Sequence, residues 1–244
     1  MLGNQGLRKV LKDLTNNRFK LSSHMNVFQK SSTLDLLLDA AEELFAKQGY
    51  DGTSMRSITG LAGVNLAAAH YHLGDKEALY VKVFMRRLQP INESRLARLT
   101  QAEQDAGVQL VSMEHIIEIM ARPLFELAAD TQQGGQYFVR ILGRCLVEPL
   151  PCMEAIITAE LQPVMARFSQ ALRRHAPHLA PEEFLWRFSF VLGAMHHTLA
   201  TLHCMKARTR GLCRDHDHAA TLQRFIQFAV GALTVPVKPD PAIT

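Results

Sequence analysis

Apolar side chains recur at three- and four-residue steps along nearly the whole chain, and no segment alternates apolar with polar residues in the two-residue rhythm of a strand. That pattern commits the chain to an all-α fold, because side chains about 3.6 residues apart share one face of a helix. Leu34, Leu37, Ala41, Leu44, Phe45 and Gln48 mark a first helix. Gly49 suits its end, since glycine enters the left-handed conformation without a Cβ penalty. A second, short helix is expected from Ser54 to Leu61, with the Thr53 hydroxyl as its cap. An Ala62, Gly63, Val64 turn follows, and Asn65 can cap a third helix. Asp75 can cap the next, with Glu77 in a first turn that the helix dipole favours. That helix is expected to pass Tyr80, Phe84 and Leu88 towards Leu99, with a kink at Pro90 and an end at the polar patch from Gln101 to Gly107. Further helices are expected near 111–129, 135–148, 152–175, 181–206 and 217–234, and no internal repeat is visible.

The stretch GVNLAAAHYHLGDKEAL, residues 63–79, is the most informative. His70 and His72 lie about 200° apart on a helix, so they cannot share a metal there. Two short helices joined by a glycine-containing turn instead form a helix-turn-helix, with Ile58, Leu61, Val64 and Ala68 available for its inner face. Small residues such as Ala67 let the second helix approach the DNA major groove closely. Tyr71 and His72 can donate hydrogen bonds to phosphate oxygens. Lys76 and the free N–H groups at the start of the following helix can hold another phosphate.

The segment LDAAEELFAKQGYDGTSMRSITGLAGVNLAAAHYHLGDKEALYVKVF resembles the DNA-binding domain of the TetR (tetracycline repressor) family of bacterial regulators, over about residues 33 to 84. The order of its parts carries the resemblance: Gly-Tyr at the end of helix one, then Thr-Ser, Ala-Gly-Val, Tyr-His and Lys-Glu-Ala-Leu. The resemblance implies that Thr53 and Ser54 stand at the start of helix two, with Thr53 capping it. It further implies that Tyr71, His72 and Lys76 contact phosphate, and that Arg56, Asn65, Ala67, Ala68 and His70 lie near the groove. Ala69 and His70 stand where Leu-Tyr is common in the family, and Leu73 where Phe is common. These departures leave the fold intact but prevent transfer of a base preference.

The resemblance also implies that the remaining helices form a ligand-binding and dimerisation domain. YFVRILGRCL and EEFLWRFSFVLGAMHHT are similar to the PsrA-like, fatty-acid-responsive branch, which implies a lipophilic or acyl effector. Met113, Met120, Phe125, Phe138, Met153, Met165 and Phe168 can line an adaptable apolar pocket or pack as ordinary core. Arg140 and Arg144, four residues apart on one helix face, can offer a carboxylate or phosphate a fixed fork of donors, or stand solvated or salt-bridged. The ligand-binding expectation therefore covers Arg140, Phe138, Arg144, Phe125, Met120 and Met165.

Charge placement matters more than the total of +4. Residues 1–32 carry a net charge of +5 and the other 212 a net of −1, so bulk charge does not argue for nucleic-acid binding. The first 32 residues are read as a basic, disordered extension, in which residues 1–24 form an arm or precede a start at Met25. Cys145, Cys152, Cys204 and Cys213 lack zinc-finger spacing and do not resemble a disulfide scaffold, which fits a reducing cytoplasm. The N-terminal region lacks the apolar run of a secretory signal. The 18 residues between Arg187 and Lys206 carry no formal charge, but three histidines and several hydroxyls among them point to a helix buried in protein rather than in lipid. His196, His197, His203, Cys204, Cys213, His216 and His218 have metal-ligand chemistry at irregular spacing, and support an alternative, metal-responsive regulator. No cofactor is expected. Nucleophile-elbow, zincin and phosphate-loop motifs are missing, which argues against an enzyme.

The expected division is an extension over 1–32, a helix-turn-helix domain over 33–80, a helical effector-binding and dimerisation domain over 81–236, and a flexible tail over 237–244. Such a chain is expected to act as a cytoplasmic homodimer on a palindromic double-stranded DNA operator, released by a small molecule. An enzyme is the competing class, and a helical protein-interaction module that has lost DNA binding is a third.

Overall fold

A computed structural model describes residues 32–67, 73–147, 150–213 and 217–237, and among them there is no strand. Helix α1 is Thr33–Gln48, and Ser32 caps it in a reciprocal box with Asp35. Ser32, assigned from sequence to the extension, thus belongs to the cap of the first helix. Helix α2 is Met55–Ala62. A third helical turn opens at Leu66, beyond which residues 68–72 fall outside the described set.

Helix α3, Lys76–Ala106, is 31 residues long and continues through the polar patch where an end was expected. The sequence from Gln101 to Ala106 is polar but rich in good helix formers, and its exposed positions need no apolar partner. Pro90 lies within this helix without ending it. The division placed at residue 80 therefore falls inside one continuous helix, which belongs to both parts of the molecule.

Then come α4 (Met113–Ala129), α5 (Gly135–Val147), α6 (Pro151–Ile156) and α7 (Gln162–Arg173). A π-helical turn, Ile157–Leu161, joins α6 to α7 inside the single helix expected at 152–175. Next are α8 (Pro181–Thr201), a 3-10 turn at Leu202–Cys204, α9 (Met205–Arg208) and α10 (His218–Thr234). Pro151 and Pro181 occupy first helical positions, where their missing N–H is no loss.

The core is continuous from the first domain into the second. Phe45, Phe84, Phe125, Phe138, Phe168 and Phe184 are each at most 1% exposed, and burial of such a ring contributes about 1.5–3 kcal/mol. Helix α4 packs on α5 and α10, while α1 lies against both α3 and α5. Gly135 makes the α4–α5 contact possible: a Cβ there would stand 2.3 Å from the Leu127 carbonyl oxygen. Among the described residues no helix is long and apolar enough to cross a membrane. The uncharged stretch in α8 buries Phe188, Val191, Met195 and Leu199 in protein instead.

Candidate nucleic-acid interface and regulatory core

The helix-turn-helix is built by local hydrogen bonds. Ser54, not Thr53, caps α2: its Oγ accepts from the Ser57 N–H at 3.0 Å, and the Ser57 hydroxyl accepts from the Ser54 N–H in return. Thr53 is 2% exposed and turns inward, donating from Oγ1 to the Gly49 carbonyl at 2.8 Å. Both hydroxyls sit at the right place in sequence, and tertiary burial decides between them. Gly63 ends α2 at φ 66°, ψ 28°, the left-handed conformation that glycine adopts without strain. Asn65 Oδ1 then accepts from the Ala67 N–H at 2.8 Å and caps the helical turn that opens at Leu66.

Ile58 and Leu73 are buried beneath this unit, whereas Arg56, Asn65 and Ala67 are exposed. Ala68, His70, Tyr71 and His72 lie outside the described residues. Asp75 caps α3 by accepting from the Ala78 N–H at 2.8 Å. Lys76 has a role that its sequence position does not reveal. Its Nζ donates to the carbonyls of Tyr50 and Thr53, both at 3.1 Å, and lies 4.1 Å from the centre of the Tyr50 ring. Two of its three donors thus pin the α1–α2 connection to the start of α3, which leaves one donor outside these two bonds.

The unit is fastened to the larger domain by a buried carboxylate. Glu42 on α1 is 1% exposed and accepts from Arg86 Nη2 at 2.7 Å, Arg87 Nε at 3.0 Å and Arg87 Nη2 at 2.9 Å. The bond to Glu42 is the main cause that raises the Arg87 pKa above its ordinary value. Arg87 also donates to the Gln133 carbonyl in the α4–α5 connection, and Arg86 to Asp39 at 2.7 Å. On the other side of α1, the Tyr80 hydroxyl and the Cys145 thiol are 3.1 Å apart, and Tyr80 meets Phe45 edge to face.

The six expected ligand-binding residues do not line one site. Met120, Phe125 and Phe138 are fully packed core, and Met165 packs against that core half-buried. Arg140 and Arg144 instead border an open cleft of about 740 Å³ between α1 and α5, with Lys47, Tyr50, Tyr80 and His203 also in its wall. Arg144 Nη1 donates to the Phe45 carbonyl at 3.2 Å. Burial, aided by the charges of Arg140 and Arg208, lowers the His203 pKa.

A different arginine is held inside. Asn92 and Arg95 lie on the face of α3 that also carries Leu88 and Leu99, and they are 6% and 1% exposed. Arg95 Nε donates to the Met120 carbonyl at 2.8 Å, and Nη1 reaches Asn92 Oδ1 at 3.4 Å. Nη2 is buried without an acceptor among the described residues. Burial lowers the Arg95 pKa to about 10, which leaves it charged at neutral pH. Burial, with the nearby Arg95 charge, pushes His196 down to about 4 and keeps that ring neutral. The sequence signal for this cluster was the step from 88 to 92, 95 and 99, a core face with two polar members.

Among the described residues no three His, Cys, Asp or Glu side chains are grouped to hold a metal ion. His216 lies outside them. All four cysteines are free thiols.

A helix-turn-helix anchored to a larger helical domain defines a class of regulator, and comparisons with known proteins give the family. Residues 37–83 match the family described as bacterial regulatory proteins, tetR family, and residues 118–232 match the tetracyclin repressor-like C-terminal domain. The chain belongs to the TetR family of transcriptional regulators. It is 30% identical over 114 residues to the HTH-type transcriptional repressor NicS of Pseudomonas putida, a match covering 47% of this chain and 48% of that protein. It is 38% identical over 48 residues to IcaR of Staphylococcus epidermidis, the biofilm operon icaADBC HTH-type negative transcriptional regulator, covering 20% of this chain and 26% of IcaR. The matches therefore span half or less of these curated relatives. The crystal structure of the transcriptional regulator FadR from Bacillus subtilis, in complex with stearoyl-CoA, has the same fold, with a TM-score of 0.57 at 16% identity over 81% of this chain and 97% of that one.

Proposed function

We propose that this chain is a cytoplasmic homodimeric repressor that binds a palindromic DNA operator and leaves it when a small lipophilic effector, a fatty acid or its CoA thioester, enters the helical domain. The observation that carries the reading is the continuity of α3. Its first turn pins the helix-turn-helix through Lys76, and its later turns lie in the core of the larger domain. A ligand that favours one position of α3 also favours one position of the DNA-binding unit.

On the DNA side, Arg56, Asn65 and Ala67 present an exposed surface for the major groove. By the family resemblance Ala68 and His70 are assigned to the groove as well, and Tyr71, His72 and the remaining donor of Lys76 to phosphates. A dimer would set two such units about 34–36 Å apart, or a multiple of that, to read the two halves of a palindrome. The exposed apolar residues Leu185, Trp186 and Phe190 on α8 and Phe228 on α10 supply a face for the second copy. The acyl reading is supported by the shared fold of the stearoyl-CoA-bound FadR and by the methionine- and phenylalanine-rich core.

The test is selection of bound sequences from random duplex DNA, followed by titration of the complex with fatty acids and acyl-CoAs of graded length. A regulator enriches a palindrome, and an acyl sensor releases it with potency that rises with chain length. Failure to enrich any palindrome would favour a helical interaction module, and release by no chain length would remove the acyl effector while leaving the regulator.

A further inference from the structure

Two kinds of arginine face the interior from α3. Arg86 and Arg87 are partly exposed and share the Glu42 carboxylate, although Arg86 Nε has no partner of its own. Arg95 is more deeply buried than either, yet among the described residues no carboxylate lies within ion-pairing distance of it. Its guanidinium has five N–H donors in a fixed planar fork. Nε is used by the Met120 carbonyl and Nη1 is weakly engaged by Asn92, while Nη2 has nothing to accept its hydrogens. A buried cation with an unsatisfied edge is costly unless an anion completes it.

The surroundings hold that edge in place. Asn92 Nδ2 donates to the Glu160 carbonyl at 3.0 Å, so its Oδ1 stays turned towards Arg95. Glu160 belongs to the π-helical turn Ile157–Leu161, an irregularity that recurs at functional sites in helical proteins. In α4, Pro123 has no N–H to offer the Ile119 carbonyl one turn back, and the neighbouring carbonyl, that of Met120, is the one that accepts from Arg95. Four elements, α3, α4, the π-turn and α8 with its neutral His196, thus meet around one unpaired positive charge.

We infer that Arg95 anchors the anionic head of the effector, and that this head is a carboxylate on an apolar body. The inference rests on the effector-responsive reading above. A carboxylate offers two oxygens to the Nη edge and a single negative charge. A phosphate dianion would leave one charge uncompensated among Met120, Leu99 and the other apolar residues of this core. Arg140, by contrast, stands half-buried beside an open cleft and has water available to it.

The experiment uses the full-length protein with decanoate and hexadecanoate, the matching alcohols as neutral probes, and the variants Arg95→Met, Arg95→Lys and Arg140→Ala. Binding is read by titration calorimetry and by the ligand-dependent rise in Tm. Wild type and Arg140→Ala should bind the acids at least about tenfold more tightly than the alcohols. Arg95→Met should fold, bind the acids at least about tenfold more weakly and lose the acid-over-alcohol preference, while Arg95→Lys should retain part of it. Equal affinity of wild type for acid and alcohol, no binding of either acid, or unchanged acid binding by Arg95→Met each overturns the assignment. Where Arg95→Met does not fold, Arg95→Lys decides: acid binding as tight as in wild type overturns the assignment. Operator selection, run on the same protein without ligand, separates a failure of the DNA-binding reading from a failure at Arg95.

Discussion

At the residue scale, burial assigns roles that local sequence cannot. Removing the Glu42 carboxylate leaves Arg86 and Arg87 without their shared partner. Breaking a buried pair costs about 3–5 kcal/mol, but these arginine side chains are 24% and 18% exposed and can turn towards water. Glu42→Ala should therefore cost at or below the lower end of that range in urea unfolding, and a loss under about 1 kcal/mol would show that the pair is already solvated. His196 gives a pH signature. Its folded pKa of about 4 lies below the ordinary 6.5, so the unfolded chain binds the extra proton and stability falls as pH drops through that window. The slope should reach up to about 1.4 kcal/mol per pH unit, and His196→Gln should flatten the stability profile between those values. The Asn65 and Asp75 caps were legible because their partners lie two or three residues away. Thr53 and Arg95 were misread or missed because an inward hydroxyl and an inward guanidinium look in sequence like their solvated counterparts.

At the scale of elements, periodicity located every long helix, and its failures have physical causes. It ended α3 too early because polarity was taken for a break, although no residue from Gln101 to Ala106 is a helix breaker. It merged α6, the π-turn and α7, since one residue of slip per turn barely disturbs an apolar pattern. The α4–α5 contact depends on the lack of a side chain, which no periodicity detects. Gly135→Ala would put a Cβ 2.3 Å from a backbone oxygen of α4, and backbone cannot rotate aside as a side chain can. Overpacking of this kind costs about 1–3 kcal/mol. The same shift would displace the Gln133 carbonyl that Arg87 holds, and with it the Glu42 cluster under the helix-turn-helix. The variant should therefore lose operator affinity as well as Tm. Unaltered operator binding in a destabilised protein would show that the α4–α5 connection does not reach the DNA-binding unit. From Lys76 to Arg95 along α3 is about 28 Å at 1.5 Å per residue, the span that the proposed coupling between Arg95 and the DNA-binding unit has to cross.

At the scale of the whole molecule, an apolar face on α8 and α10 stays exposed among the described residues. Trp186 and Phe190 stand one turn apart on α8, with ring centres 5.9 Å apart, and are 56% and 61% exposed; Gly193 continues the same stripe. On α10 the corresponding stripe runs through Phe228 and Gly231 to Val235 just past its end. Arg187 donates to the carbonyls of Ala232 and Val235 and clamps the two helices together, so the stripes form one rigid surface. Stable interfaces bury about 1,200–2,000 Å² in total, and aromatic anchors at their centre carry most of the energy. A glutamate at such a centre would have to be desolvated in both copies of a two-fold interface, where it also faces its own like charge. Trp186→Glu combined with Phe228→Glu should therefore yield a folded monomer in analytical ultracentrifugation, with a helical circular dichroism spectrum like that of the wild type, because neither side chain supports its own core. The monomer should bind a half-site and its palindrome with nearly equal and much weaker affinity, since the second recognition unit no longer arrives with the first. A double variant that remains dimeric would move the interface to another face of the molecule. One that becomes monomeric yet binds the palindrome as tightly as wild type would mean that two-fold pairing is not how this regulator recognises DNA.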